Sequence, residues 1–129
     1  MPSLNRLQLI GRLGKDPESH FTPNGAKVTE FSLAVDRRRR TSEGEIMHET
    51  DWFNLEAWGK LGEVCQAYLK KGRLVYAEGS VKTDRYEKGG EVHYFTKVIL
   101  RNIELLDRKP EDEAEEVAVE VAEDDIVSD

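Results

Sequence analysis

Apolar and polar residues alternate over several short segments of the chain, which is the pattern of β-strands with one buried face. Between residues 27 and 35, for example, Phe31, Leu33 and Val35 share one face and are expected to point inward. Residues typical of turns, such as glycine, proline and asparagine, separate these segments. The pattern predicts five strands, at residues 5–13, 27–35, 50–58, 73–81 and 97–106.

Two further features connect the predicted strands. Residues 61–71 carry apolar side chains at helical spacing, followed by Gly72, and they predict a short helix that buries Cys65 as a small apolar residue. Residues 82–97 predict a long hairpin that turns at Gly89 and Gly90.

The order of these elements predicts the fold class. Five strands with one short helix between the third and the fourth indicate an all-β fold, a five-stranded β-barrel of the OB type with a long hairpin. The helix is expected to close one end of the barrel. The pattern alone also fits an SH3-like barrel or a small β-sandwich.

The third predicted strand, TDWFNLEAW at residues 50–58, has two unlike faces. One face carries Phe53 and Leu55 and is suited to a core. The other face is polar except for Trp52 and Trp58, the two tryptophans of the chain. Exposed indoles are suited to stacking against nucleobases, although a second sheet or another subunit could also cover them.

Four consecutive arginines precede this strand, and we interpret them as the basic base of a polar hairpin loop that continues to residue 45. A solvated loop is the usual outcome for such a run of charge. Beside two aromatic side chains, however, a basic arm attracts a polyanion and guides it towards them. The run consists of Arg37, Arg38, Arg39 and Arg40.

The net charge of −7 is divided unevenly along the 129 residues. Residues 1–107 contain 17 Lys and Arg against 16 Asp and Glu, a balance of +1, whereas residues 108–129 contain 2 against 10, a balance of −8. We therefore predict a folded domain at residues 1–107. Residues 108–129 are predicted to be a disordered acidic tail, because they have too few apolar side chains to offset the entropy of ordering.

Other classes of protein are disfavoured by the composition. The single cysteine excludes an intramolecular disulfide, and the start of the chain has no apolar run typical of a signal peptide or membrane span, so a cytoplasmic location without membrane contact is expected. His20, His48 and His93 lack metal-ligand spacing, and no phosphate-binding glycine loop precedes a helix. We expect no catalysis, no metal and no cofactor.

Several segments together resemble the bacterial single-stranded DNA-binding protein family of the homotetrameric OB-fold type. They are LIGRLGKDPE, TPNGAKVTEFSLAVDR, TDWFNLEAWGKLGEV, YLKKGRLVYAEG and the closing hairpin, and they cover residues 5–106. The resemblance implies an OB-fold and a homotetramer wrapped by single-stranded DNA in the nucleoid. It also implies sequence-independent binding in DNA replication, recombination and repair, without catalytic activity.

The resemblance implies roles for individual residues. Trp52 matches the stacking tryptophan of the family's T-[DE]-W motif, Trp58 the aromatic residue before G-K-L, and Tyr86 the hairpin aromatic. The four arginines replace a further family aromatic, and they still permit guanidinium stacking and phosphate contact. The other basic residues expected to attract DNA phosphates are Lys60, Lys71, Arg85 and Lys88.

The end of the acidic tail departs from the family pattern. There the tail ends in two aspartates, aliphatic residues and a Pro-Phe pair whose phenyl ring enters a pocket on partner proteins. Here Ser128 and Asp129 replace that pair. Recruitment of replication and repair proteins is therefore expected to be weaker or altered, and to rest on Asp124, Asp125, Ile126 and Val127.

Two other functions fit part of the sequence. An OB-fold can serve as a protein-interaction module, in which case Trp52 and Trp58 would be buried against a neighbouring subunit. A replication-restart protein would share the fold but lack the acidic tail. Quenching of the tryptophan fluorescence by single-stranded DNA would separate the first alternative from DNA binding.

Overall fold

The computed structural model describes residues 2–107, which form six β-strands and one α-helix. The predicted disordered tail, residues 108–129, lies outside the described residues. In chain order the elements are β1 (Leu7–Leu13), β2 (Glu18–Phe21), β3 (Lys27–Arg40), β4 (Ile46–Trp58), α1 (Gly59–Tyr68), β5 (Leu74–Lys88) and β6 (Glu91–Leu105).

Five of the six strands close into a barrel. β1 pairs with β5, β5 with β6, β6 with β4, β4 with β3, and β3 returns to β1. All of these pairs are antiparallel except β4 with β6, which is parallel and joins Leu55 to Val98 and Glu56 to Ile99. The closed barrel, with its helix between the third and fourth barrel strands, confirms the predicted OB-type fold.

The sixth strand, β2, was not anticipated by the sequence pattern. It is only four residues long and pairs with residues 27–30 of β3, along the edge of β3 that pairs with β1 at Leu33 and Ala34. Three of its four residues are exposed, and the segment therefore has no inward-facing apolar side chains from which a strand could be predicted.

Inward-facing side chains of the barrel strands and of α1 fill the interior. Phe31 and Leu33 are buried as their alternation predicts, and Leu55 of β4 packs in the same cluster. Cys65 contributes to this core from α1, and burial raises the pKa of its thiol to about 12. Cys65 is therefore a buried apolar residue, as predicted, and not a nucleophile.

The prediction of a loop at the four arginines is wrong. β3 and β4 remain paired without interruption from Val28 and Trp58 out to Arg40 and Ile46, so the arginines form the outer end of β3. The connecting loop is confined to residues 41–45. Strand pairing continues because acidic residues of β4 face part of the arginine run, which reduces the repulsion among the arginines.

The helix is displaced from its predicted limits, since it begins at Gly59 and ends at Tyr68 instead of spanning residues 61–71. Leu69 has extended backbone angles and is 2% exposed, because it leaves the helix to bury its side chain in the core. Lys71 therefore lies beyond the helix.

The predicted hairpin turn at Gly89 and Gly90 is confirmed, and both glycines have the positive φ that such turns require. Its arms are longer than predicted, because β5 and β6 stay paired from Val75 and Leu105 to the turn. Among residues 2–107, no helix has the length and apolar character needed to cross a membrane.

Candidate nucleic-acid interface

The outward side of β4 and its partner residues on β3 form the tryptophan face, defined by Trp52, Asn54, Glu56 and Trp58. Trp52 is 60% exposed and Trp58 is 41% exposed, whereas Leu55, between them in the chain, is buried. Six residues of strand separate the two indoles by about 20 Å. This face therefore presents two uncovered aromatic surfaces on one rigid strand.

Gly14 determines the space available to the indole of Trp52. A Cβ atom added at Gly14 would lie 2.5 Å from Cζ3 of Trp52 and 3.1 Å from the hydroxyl oxygen of Ser32. The ring edge therefore lies against the backbone where β1 ends. Only a residue without a side chain allows this position.

A chain of polar contacts fixes the indole of Trp58. Its Nε1 donates to Oε1 of Glu56 at 3.0 Å, and Nζ of Lys97 donates to Oε2 of the same carboxylate at 2.8 Å. Nζ of Lys97 also lies 3.1 Å from Oδ2 of Asp84. These contacts raise the pKa of Lys97, chiefly through its hydrogen bond to Glu56, and lower the pKa of Asp84 through its hydrogen bond to Lys97. The chain joins the tryptophan face to the β5–β6 hairpin.

The two faces of β3 divide the arginine run. Arg37 makes a bidentate contact with Asp51, at 3.0 and 2.6 Å, which lowers the pKa of that carboxyl, and Arg39 lies 3.2 Å from Glu49. Acidic side chains of β4 thus balance the charges of Arg37 and Arg39. Arg38 and Arg40 point to the other side, because they pair directly with residues 48 and 46, on the side that carries Trp52. Within residues 2–107 they have no ion-pair partner.

The β5–β6 hairpin adds a further aromatic pair. Tyr86 is 48% exposed and stacks on His93, with ring centroids 5.3 Å apart. Lys88 shares the face of Tyr86, whereas Arg85 points to the opposite face and lies 3.8 Å from Glu87. The hairpin thus brings Lys88, but not Arg85, to the side of its aromatic pair.

The two predicted lysines lie near the helix. Lys60 is in the first turn of α1, two residues after Trp58. Lys71 follows the helix, and its backbone N–H donates to Oδ1 of Asp16 at 2.8 Å. Both side chains are exposed.

Four residues of the site were missed by sequence reasoning. Gly14 and Lys97 act on the tryptophan face through contacts between distant parts of the chain, so no local pattern marks them. Glu56 could have been found, because alternation places it on the same face as Trp58, two residues away. Phe95, which is 45% exposed, could have been found, because it alternates with His93 and Lys97 along one face of β6.

Some predicted residues cannot be placed. Asp124, Asp125, Ile126 and Val127 lie outside the described residues. Within residues 2–107, no group of three or more His, Cys, Asp and Glu side chains is arranged to hold a metal ion.

Comparison with known proteins agrees with this architecture. Residues 4–106 match the model of the Single-strand binding protein family. Single-stranded DNA-binding protein 1 of Chlorobaculum tepidum is 40% identical over 108 residues, which are 82% of this chain and 67% of that protein. The single-stranded DNA-binding protein of Thermotoga maritima is 38% identical over 132 residues, covering 100% of this chain and 94% of that protein.

A solved structure shows the same likeness in three dimensions. The Plasmodium falciparum SSB, in a complex with ssDNA, superimposes with a TM-score of 0.77 at 32% sequence identity, over 83% of this chain and 98% of that one. Sequence and structure thus agree over the whole barrel, and the chain belongs to the Single-strand binding protein family.

Proposed function

We propose that this protein binds single-stranded DNA without sequence preference and protects it during DNA replication, recombination and repair. The observation that carries the proposal is the pair of exposed indoles, Trp52 and Trp58, on one strand of an OB-type barrel. Members of the Single-strand binding protein family are binding proteins without enzymatic activity, and this chain is one of them.

Binding rests on base stacking. Unpaired bases stack on Trp52, Trp58 and Tyr86, each contact contributing about 1–3 kcal/mol, and stacking reads no base edges. Duplex DNA binds poorly, because its bases are already stacked within the helix and cannot reach the indoles.

Phosphate contacts supply the rest of the affinity. Arg38 and Arg40 are the strongest candidates, since they share the side of Trp52 and their charges are not balanced within the described residues. Weaker contributions come from the other basic residues assigned from the sequence, which are Arg37, Arg39, Lys60, Lys71, Arg85 and Lys88. Affinity therefore falls as salt rises.

The assembly and the partners belong to the same proposal. The protein acts as a homotetramer in the cytoplasm, associated with the nucleoid. Its tail tip, Asp124, Asp125, Ile126 and Val127, recruits replication and repair proteins. The family resemblance and the charge of residues 108–129 support these assignments.

Tryptophan fluorescence tests the proposal, because Trp52 and Trp58 are the only two tryptophans in the chain. We expect strong quenching when the protein is titrated with poly(dT), weaker quenching at higher salt, and little change with duplex DNA. Trp52→Leu and Trp58→Leu should each remove part of the quenching. Absence of quenching at low salt would mean that protein covers the indoles, and a protein-interaction module would replace DNA binding.

A further inference from the structure

A cleft of about 120 Å³ opens on the tryptophan face, between the positions of the two indoles. Asn54 and Glu56 line it from β4, Glu30 and Ser32 from β3, and Phe95 and Lys97 from β6. The cleft is therefore continuous with the surface on which the proposed function places the DNA.

One side of the cleft is aromatic. Phe95 is 45% exposed and lies outside the buried core cluster, so the interior of the barrel does not account for its phenyl ring. Tyr94, the preceding residue, points to the opposite face of the hairpin. A phenyl ring at the edge of a cleft of this size is suited to stacking against one flat base.

The side of the cleft opposite Phe95 carries carboxylates, and one of them, Glu30, has few partners to compensate its charge. Glu30 pairs directly with Glu56 across the β3–β4 ladder, an arrangement that like charges disfavour. The carboxylate of Glu56 accepts hydrogen bonds from Lys97 and Trp58, which compensate its charge. The nearest ion-pair partner of Glu30 in the described chain is His20, at 3.8 Å. An under-compensated carboxylate at this position repels phosphate and attracts hydrogen-bond donors.

Ser32 and Asn54 extend the polar side of the cleft. They are directly paired across β3 and β4, and in the described part of the chain their side chains make no hydrogen bond to protein. Among the described residues, the other charges lining the cleft are Lys15 and Glu18, which lie 3.8 Å from each other. Besides the charged groups, the cleft thus offers a bound base the hydroxyl of Ser32 and the amide of Asn54, each of which can donate and accept a hydrogen bond.

We propose that this cleft is a subsite for one base and that it selects bases with an exocyclic amino group (cytosine, adenine or guanine) over thymine, which has none. The base stacks on Phe95, and its amino group donates to the carboxylate of Glu30, as carboxylates accept from N4 of cytosine elsewhere. Asn54 contacts the remaining polar edge. This inference rests on the proposed function, and it adds a local preference to otherwise sequence-independent binding.

The test compares oligo(dC) and oligo(dT) of equal length at pH 8 and fixed salt, in the full chain. Glu30→Gln should shift the ratio of the two affinities towards oligo(dT) by about threefold or more. Because both ligands carry the same number of phosphates, the ratio removes the general effect of losing one negative charge. Glu43→Gln, in the distant 41–45 loop, is the matched control and should leave the ratio unchanged.

A second pair of variants tests the aromatic side. Phe95→Leu should weaken binding of both oligonucleotides by at least about threefold, since the variant removes stacking on one aromatic ring, whereas Tyr94→Leu on the opposite face should have little effect. An unchanged affinity ratio in Glu30→Gln, or equal effects of the Phe95 and Tyr94 variants, would overturn the subsite alone. If the unmodified protein bound neither oligonucleotide at low salt, the proposed function would fall with it.

Discussion

Gly14 has no side chain, and its absence leaves room for the indole ring of Trp52. The ring edge of Trp52 lies where a side chain at residue 14 would stand, and the indole is otherwise 60% exposed. The position of the stacking surface offered by Trp52 therefore depends on the space left at Gly14.

We expect Gly14→Ala to weaken binding of oligo(dT) by roughly fivefold, because a displaced indole loses part of the stacking energy of one base. Equilibrium titration measures the effect. In a Trp52→Leu background the same substitution should add nothing, since the ring it displaces is already absent. An equal loss in both backgrounds would show that Gly14 acts through the backbone instead.

The exposure of individual residues was predictable where it depends on local alternation. Trp52 and Trp58 follow from period two along a single strand, and so does the burial of Leu55. The contact between Lys97 and Glu56 joins residues 41 positions apart, so nothing near either residue marks it. Contacts of this kind require the topology as well as the sequence.

Two long ribbons, β3–β4 and β5–β6, extend beyond the part of the barrel where β4 meets β6. That meeting is limited to two parallel residue pairs, and the Lys97–Glu56 contact lies next to it. Sequence reasoning located the ribbons but ended the strands too early, because charged and polar residues at their outer ends do not display an apolar face. For the same reason the sequence pattern predicts a loop at the arginine run.

The division of the arginines between two faces leads to a direct prediction. Arg38→Gln with Arg40→Gln should reduce the slope of log affinity against log salt by about 0.7 for each DNA phosphate that the variant no longer neutralises. Arg37→Gln with Arg39→Gln changes the net charge equally, but it removes arginines already paired with Asp51 and Glu49. We expect the second pair to alter the slope by less than half as much.

Titrations with oligo(dT) at several salt concentrations provide these slopes. Equal slope changes for the two double variants would contradict the division of the arginines between two faces. All four arginines would then contribute to DNA binding whichever way their side chains point.

Charge is distributed unevenly between the barrel and the C-terminal segment of the sequence. Residues 1–107 carry a balance of +1 and residues 108–129 a balance of −8. A tethered acidic segment competes with DNA phosphates for basic side chains, and salt screens this competition. The composition alone was sufficient to predict this division of charge, since it requires no knowledge of the fold.

Removal of residues 108–129 should strengthen binding of oligo(dT) at low salt, with a difference that shrinks as salt rises. Affinity measured at two salt concentrations tests this. A full-length variant in which the acidic residues of the tail are replaced by glutamine and asparagine should behave like the truncated protein. An unchanged or weaker affinity after truncation would rule out competition by the tail.

The positions of the two ribbons also bear on how readily this molecule can be redesigned. None of the buried core residues in the described chain lies between residues 36 and 52 or between residues 78 and 97. Gly79 is an exception, because a side chain there would collide with the backbone of Ile99. Mutations at the other positions leave the interior packing untouched, so the barrel tolerates a wide choice of side chains at its ligand-facing surface. A library randomised at the outward positions of both ribbons should consequently yield mostly folded variants, making this chain a scaffold for new recognition specificities.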